Sequence, residues 1–190
     1  MRHITEKEAV ELLKKYSTND ESFNKVLNHS RAVQKLALEI AGEVKKNHDV
    51  NIDLVKIGSL LHDIGRFKCY KENSIRHGVE GGEILRKEGF PKYGEIAEKH
   101  IGVGITKQDI EKQKLNLPLK DFVPETTEEK IIAYADNLIF GKERGTIQEV
   151  IERFRNELGE SYVERVKNLH NEIEKLRGRN SFFMIIGPMV

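Results

Sequence analysis

Four histidines and two aspartates in this chain stand among apolar residues or at helix ends: His29, His62, His77, His100, Asp63 and Asp136. His62 and Asp63 are adjacent. They close the apolar run Leu60-Leu61 and are followed by Ile64, Gly65 and the cation Arg66. Imidazole and carboxylate donors without thiolates suit Fe(II), Mn(II), Zn(II), Co(II) or Ni(II). Structural zinc usually takes cysteines in close pairs, and Cys69 is the only cysteine here. A mixed nitrogen and oxygen donor set with open positions is the kind that activates water. Arg66 carries a fork of donors that matches a phosphate. A cation near a helix C-terminus is also favoured by the dipole alone, so Arg66 has two readings. The dipole does not account for Asp63, which it disfavours. That carboxylate calls for a positive partner, and a metal ion is one.

Such donors must be brought together by separate elements, and the apolar spacing says which. Thr5-Glu6-Lys7-Glu8 has the spacing of a capping box and opens a short helix with Val10, Leu13 and Tyr16 inward. Residues 17–20 end it. Val26, His29, Val33, Leu36 and Ile40 recur at steps of three and four, which predicts one face of a long helix over about 22–46. His29 lies inside that stripe, where a core histidine bonded to a neighbour is the plain alternative. Leu54, Ile57 and Leu61 form the next stripe, Gly58 lets a neighbour come close, and Gly65 is placed to end the helix as a C-cap. His62 and Asp63 then sit on its last turn. Residues 67–76 read as a polar loop. His77 opens a helix with Val79, Ile84 and Leu85 inward and Gly81-Gly82 for tight packing. Gly78-Val79-Glu80-Gly81 has the form of a KH-domain GxxG loop, but basic surroundings and alternating strands are missing.

Residues 93–100 predict a short helix ending at His100. Gly102-Val103-Gly104 then reads as a tight turn, because no strand precedes it and a third glycine is absent. Residues 107–124 are charged, carry two prolines and form the longest irregular stretch, either a cover over a pocket or a plain surface connection. Thr126 to Glu129 is a second capping box. It opens the most apolar helix, with Ile131, Ile132, Ala135, Leu138 and Ile139. Asp136 stands at its inner edge. An unpaired carboxylate there would cost several kcal/mol, so it is either partnered or exposed. Thr146–Glu149 and Ser161–Glu164 have the same spacing and start two amphipathic helices that serve as walls or an accessory hairpin. The apolar tail 181–190 packs either on the domain or on a second copy of the chain. His3, His48 and His170 lie in polar or terminal positions and are set aside. Alternating strands are almost absent, so an all-α fold is expected: one domain over 1–190, with its core at about 22–141 and C-terminal helices and tail at about 146–190.

The whole chain narrows the partners. Its 32 basic and 31 acidic side chains leave a net charge of +1, which offers no long-range field for nucleic acid. A single cysteine excludes an internal disulfide and points to a reducing compartment, so a cytoplasmic protein is expected. The first residues lack the apolar core of a secretory signal. No apolar run approaches the ~20 residues that span a bilayer, so no membrane partner is expected.

The pattern H…HD…H…H…D, with Leu-Leu-His-Asp-Ile-Gly at its centre, resembles the HD-domain superfamily of metal-dependent phosphohydrolases over roughly Val26 to Phe140. The chain is also similar to small archaeal-type HDIG proteins. At motif level it is similar to YqeK-type dinucleoside tetraphosphate hydrolases. It lacks the GYP signature of cyclic-di-GMP phosphodiesterases. The resemblance implies an all-helical bundle. By it, His29, His62, Asp63 and Asp136 would hold one divalent metal ion, and Asp63 would bridge to a second held by His77 and His100. The implied activity is hydrolysis of a phosphate ester or anhydride by metal-activated water, with Asp63 and Arg66 catalytic and Arg66 binding a phosphate oxygen. The substrate is then a small, nucleotide-like phosphorylated molecule. Dinucleoside polyphosphates, 2′,3′-cyclic phosphates of a nucleotide or pterin, and nucleoside monophosphates all stay open. Two other functions compete: a nucleotide-sensing module with the same pocket, and a helical interaction scaffold. Sensors of this kind often lack a ligand, and none is missing here.

Overall fold

The computed structural model describes residues 4–69 and 71–179. Among them run nine α-helices: α1 (Glu6–Tyr16), α2 (Asp20–Val44), α3 (Ile52–Leu61), α4 (His77–Lys87), α5 (Pro91–Lys99), α6 (Lys107–Gln113), α7 (Thr127–Asn137), α8 (Ile147–Leu158) and α9 (Glu160–Leu176). Two short 3-10 turns, Ile64–Phe67 and Lys71–Arg76, join α3 to α4. A two-stranded antiparallel hairpin, β1 (Ile139–Phe140) and β2 (Glu143–Arg144), follows α7. The fold is all-α, as expected.

Several helices begin where their caps dictate. Thr5 with Glu8, Thr126 with Glu129 and Thr146 with Glu149 form reciprocal capping boxes, in which the hydroxyl accepts the N3 amide and the carboxylate accepts the cap amide. Asn19 with Ser22 and Thr106 with Asp109 do the same at α2 and α6. α2 crosses the centre and packs on α3 and α7 with Val26, Val33, Leu36 and Ile40 buried. α4 lies on α5 and on the Ile64–Phe67 turn. α8 and α9 pack together, and α9 reaches α7. A Cβ on Gly58 would sit 2.7 Å from Ile96 Cδ1 and 2.9 Å from Ile132 Cδ1, so α3 meets α5 and α7 through that gap.

Four local expectations differ from the structure. Gly65 is not a C-cap: α3 ends at Leu61 with His62 at the cap, and Gly65 lies inside the following 3-10 turn. What it supplies is room, because a Cβ there would collide with the backbone of His77 and Gly81. Residues 67–76 are not a plain loop but contain the whole of the second 3-10 turn. Ser161 does not cap a helix, since α9 starts earlier, after Gly159 at φ +91°. Residues 107–124 are not wholly irregular. α6 occupies their first turns, Ile105 pairs with Phe122, and Val79, Ile105, Ile110 and Phe122 bury a small second core. The expectations for His3 and for the tail 181–190 lie outside the described residues.

Candidate metal centre

Helix ends deliver five of the six expected donors. His62 is the C-cap of α3 and Asp63 follows it at φ −98°, ψ 9°. His77 is the first residue of α4, His100 is the C-cap of α5, and Asp136 is one residue from the end of α7. His29 comes from the middle of α2. Side chains at helix ends leave the regular ladder and can converge without breaking the packing that holds each helix. His62, Asp63 and His100 are almost fully buried, His77 nearly so, and His29 and Asp136 are partly exposed.

Every one of the four imidazoles donates from Nδ1 to a backbone carbonyl. The acceptors are Gly141 O for His29 (2.8 Å), Ser59 O for His62 (2.7 Å), Ser74 O for His77 (2.5 Å) and Ala97 O for His100 (2.8 Å). Three of these reach back three residues along the chain. In the neutral ring this fixes the tautomer and turns the Nε2 lone pair inward, the usual arrangement for metal-binding histidines. His29 is held differently. Its acceptor lies in the β1–β2 turn, where Gly141 has φ +68°.

The inward atoms cluster around Asp63. Its Oδ1 is 3.4 Å from both His77 Nε2 and His100 Nε2. Its Oδ2 is 3.7 Å from His29 Nε2 and 3.8 Å from His62 Nε2. Asp136 Oδ1 is 2.8 Å from His29 Nε2 and 3.4 Å from His62 Nε2. Ligands at about 2.0–2.2 Å from one ion stand roughly 3.0–3.5 Å from each other, so these spacings suit shared coordination. Two groups, His29 with His62 and Asp136, and His62 with Asp63 and His100, each bring three donor atoms within 4.8 Å of one another.

Polar satisfaction gives a separate test of fit. His62 Nε2 and Asp63 Oδ1 are buried without a hydrogen-bond partner, which is costly unless something charged meets them. His77 Nε2 and His100 Nε2 are 3.0 Å apart while both Nδ1 protons are engaged elsewhere. Two neutral rings would then face each other lone pair to lone pair, and a shared cation resolves that repulsion. The residues present therefore fit divalent metal.

The electrostatics agree. Burial pushes Asp63 towards protonation, but His62 first, then a contact with His100 and the Arg66 guanidinium, hold its carboxyl well below the usual range. Asp136 behaves alike, its burial outweighed by His29 and His62. Burial opposes protonation of His29, yet Asp136 and Asp63 raise its pKa to about 9. A proton thus sits between His29 and Asp136 where a metal would compete for the same atoms. Burial lowers His77 to about 4, so that ring stays neutral. Arg66 pairs through Nε with Asp63 Oδ2 and remains half-exposed. Arg66 is thus at the centre, but on the carboxylate.

A cavity of about 950 Å³ opens on this cluster. Of the expected donors, His29, Asp63, His77 and Asp136 line it, and His62 and His100 stand behind. Lys25, Phe140, Lys142 and Arg153 also line it, and the sequence reading missed them along with Gly141. The available signal was weak: a glycine in a two-residue link, Gly141-Lys142, between two very short strands. Residues 107–124 do not line the cavity. His48 is exposed, and His170 pairs through Nδ1 with Tyr134 OH at 2.7 Å on α7, so neither joins the centre.

Comparison with known proteins adds to the geometry. The family model for the HD domain matches residues 26–141. Protein MJ0778 of Methanocaldococcus jannaschii is 48% identical over 155 residues, covering 80% of this chain and 89% of that one. The tRNA (cytidine(56)-2'-O)-methyltransferase of Thermoplasma volcanium is 42% identical over 92% of this chain, which spans only 48% of that protein's length. The HD domain of the L. monocytogenes phosphodiesterase PgpH, solved also in complex with cyclic-di-AMP, is similar in fold. Its TM-score is 0.52 at 19% identity, with 90% of this chain and 97% of that one covered.

Proposed function

The chain belongs to the HD-domain family, and from that premise we propose that it is a metal-dependent phosphohydrolase acting on a phosphate ester or anhydride of a small, nucleotide-like molecule. His29, His62, Asp63 and Asp136 would hold one divalent ion, and His77 and His100, with Asp63 shared, a second. Bound divalent ions lower the pKa of water and offset charge on phosphate oxygens.

The chain's own residues do the rest. The four Nδ1–H donors keep each ring in one orientation. Asp63 and Asp136 stay ionised despite burial, held so by their cationic and imidazole neighbours. Arg66 spends Nε on Asp63 and lines the cavity, so its remaining N–H groups bind a phosphate oxygen. Val26, Phe67 and Ile139 line the same cavity and limit the water around the reacting group.

The observation that carries this reading is the division of Asp63: one oxygen faces His77 and His100, and the other faces His29 and His62. A nucleotide-like substrate is supported at class level by the cyclic-di-AMP complex of the PgpH HD domain and by the tRNA named for the Thermoplasma relative. The test is hydrolysis of bis(p-nitrophenyl) phosphate with added Mn(II). Turnover by the parent chain that is lost in Asp63→Ala is expected. No turnover with any first-row metal would sink the reading in favour of a nucleotide-sensing module.

A further inference from the structure

We infer that the cavity takes a ligand of two nucleotide units: a phosphodiester at the histidine and aspartate cluster, one base stacked on Phe140, and an outer phosphate held by Lys25, Lys142 and Arg153. This rests on the phosphohydrolase reading for the reacting group and adds the part of the ligand beyond it.

Charge is the first observation. The chain as a whole is nearly neutral, with 31 acidic and 32 basic side chains. The cavity wall is not. Among the described residues no acid beyond Asp63 and Asp136 lines it, while Lys25, Arg66, Lys142 and Arg153 all do. Lys25 and Lys142 are exposed and form no ion pair among the described residues. A wall of one sign with unpaired ammonium groups fits a ligand whose negative charge continues past the reacting phosphate.

The second observation is a built aromatic surface. Phe140 is 36% exposed, at the end of β1, and lines the cavity. Two features fix its ring. The Arg153 guanidinium lies 4.8 Å from its centroid and 5.3 Å from that of Phe154, and is tied through Nη2 to Asn137 O and Oδ1, both at 3.2 Å. Gly145 passes so close that a Cβ there would be 2.5 Å from Phe140 Cε2 and 2.7 Å from Cδ2. A ring backed by arginine and seated over a glycine is a platform for a nucleobase, which any base can use.

The third is size. The cavity's 950 Å³ is near the top of the roughly 300–1,000 Å³ range of small-molecule clefts, more than one phosphate ester needs.

The test uses Mn(II)-loaded full chain and equilibrium dialysis. The probe is 5′-phosphorylated diadenosine with a phosphorothioate linkage, which resists hydrolysis. Its Kd is compared with that of AMP and of a single-stranded adenosine RNA hexamer. The dinucleotide is expected to bind at least tenfold tighter than AMP. Phe140→Ala is expected to weaken it about tenfold, and Phe140→Trp to restore it. Gly145→Ala, which displaces the ring rather than removing it, should act in the same direction. Equal affinity for AMP, or a dinucleotide Kd indifferent to Phe140→Ala, overturns the inference. A hexamer bound no tighter than the dinucleotide assigns the site to free dinucleotides, and one bound tighter assigns it to an RNA end; both uphold two units. Turnover of bis(p-nitrophenyl) phosphate is read separately. Binding without turnover keeps this inference and removes the hydrolase reading, and turnover without dinucleotide preference does the reverse.

Discussion

Asp63 is asked to answer two sets of neighbours at once. Each oxygen has its own pair of imidazoles, and Arg66 adds a third claim on Oδ2. A carboxylate so placed cannot be exchanged for a neutral isostere without leaving buried rings facing each other uncompensated. On the two-ion reading this has a stoichiometric consequence. Metal analysis of protein purified without chelators should give two ions per chain. His77→Ala should lower that to one, because it touches only the Oδ1 side. Asp63→Ala should bring it close to zero. His29→Ala should likewise leave one ion, the one on the Oδ1 side. A parent chain that holds a single ion, lost alike in both variants, would instead mean one ion held by a pooled donor set. Arg66 gives a kinetic contrast. A lysine cannot reproduce the fork, so Arg66→Lys should raise KM for a phosphodiester about tenfold with a smaller change in kcat. These donors were legible in the sequence because each stands where a bland residue would serve: a histidine in an apolar stripe, a carboxylate at the wrong end of a helix. Gly141 was not legible. Its contribution is a carbonyl, and a carbonyl carries no residue signature. Only the approach of residues 112 positions apart reveals it.

At the scale of elements, the centre depends on how closely α4 can approach the turn after α3. Gly65 sets that distance. A Cβ there would strike the His77 carbonyl and the Gly81 amide, which are backbone atoms with nowhere to go. Gly58 differs. Its Cβ would meet Ile96 Cδ1 at 2.7 Å and Ile132 Cδ1 at 2.9 Å, the free ends of flexible side chains. Gly65→Ala should therefore cost about 3 kcal/mol in a urea titration, and Gly58→Ala about 1 kcal/mol, the range that overpacking gives. Gly65→Ala should also weaken metal binding, since His77 moves with the strained carbonyl. A smaller stability loss at 65 than at 58 would show that the turn, not α4, gives way. The sequence marked both glycines, yet for Gly65 it suggested a helix cap. Cap and close-approach glycines look the same in one dimension, and the choice depends on what packs alongside. Ser161 failed for a related reason: the spacing of a capping box can occur inside a helix that has started one residue earlier, here at Glu160.

For the molecule as a whole, the segment 107–124 matters more than its composition suggests. Instead of lying over the cavity, it folds as α6 on a small core of its own and is tied to α9. Arg165 donates from Nη1 to Asp109 Oδ2 at 2.6 Å and from Nη2 to Oδ1 at 3.0 Å. Gln113 Nε2 donates to Tyr162 OH at 2.6 Å, and the Arg165 guanidinium lies 4.8 Å from the Tyr162 ring. Asp109 also completes the capping box of α6 with Thr106. The Arg165 bond lowers the Asp109 pKa first, with burial opposing and the Thr106 bonds assisting. A carboxyl depressed below its unfolded value stabilises the fold only while ionised. Its contribution is complete above the unfolded pKa, near 4, and is lost as pH falls towards the folded value. Asp109→Asn should therefore lower the urea midpoint at pH 7, by about 1 kcal/mol in stability once solvent screening of the partly exposed Arg165 is allowed for. The gap between variant and parent should narrow below about pH 4, as the parent carboxyl takes up its proton. Because α6 stands apart from the cavity, phosphodiester turnover at pH 7 and 25 °C should be unaffected. A gap that stayed constant down to pH 2 would show that the cap and the packing, rather than the ion pair, hold α6 to α9.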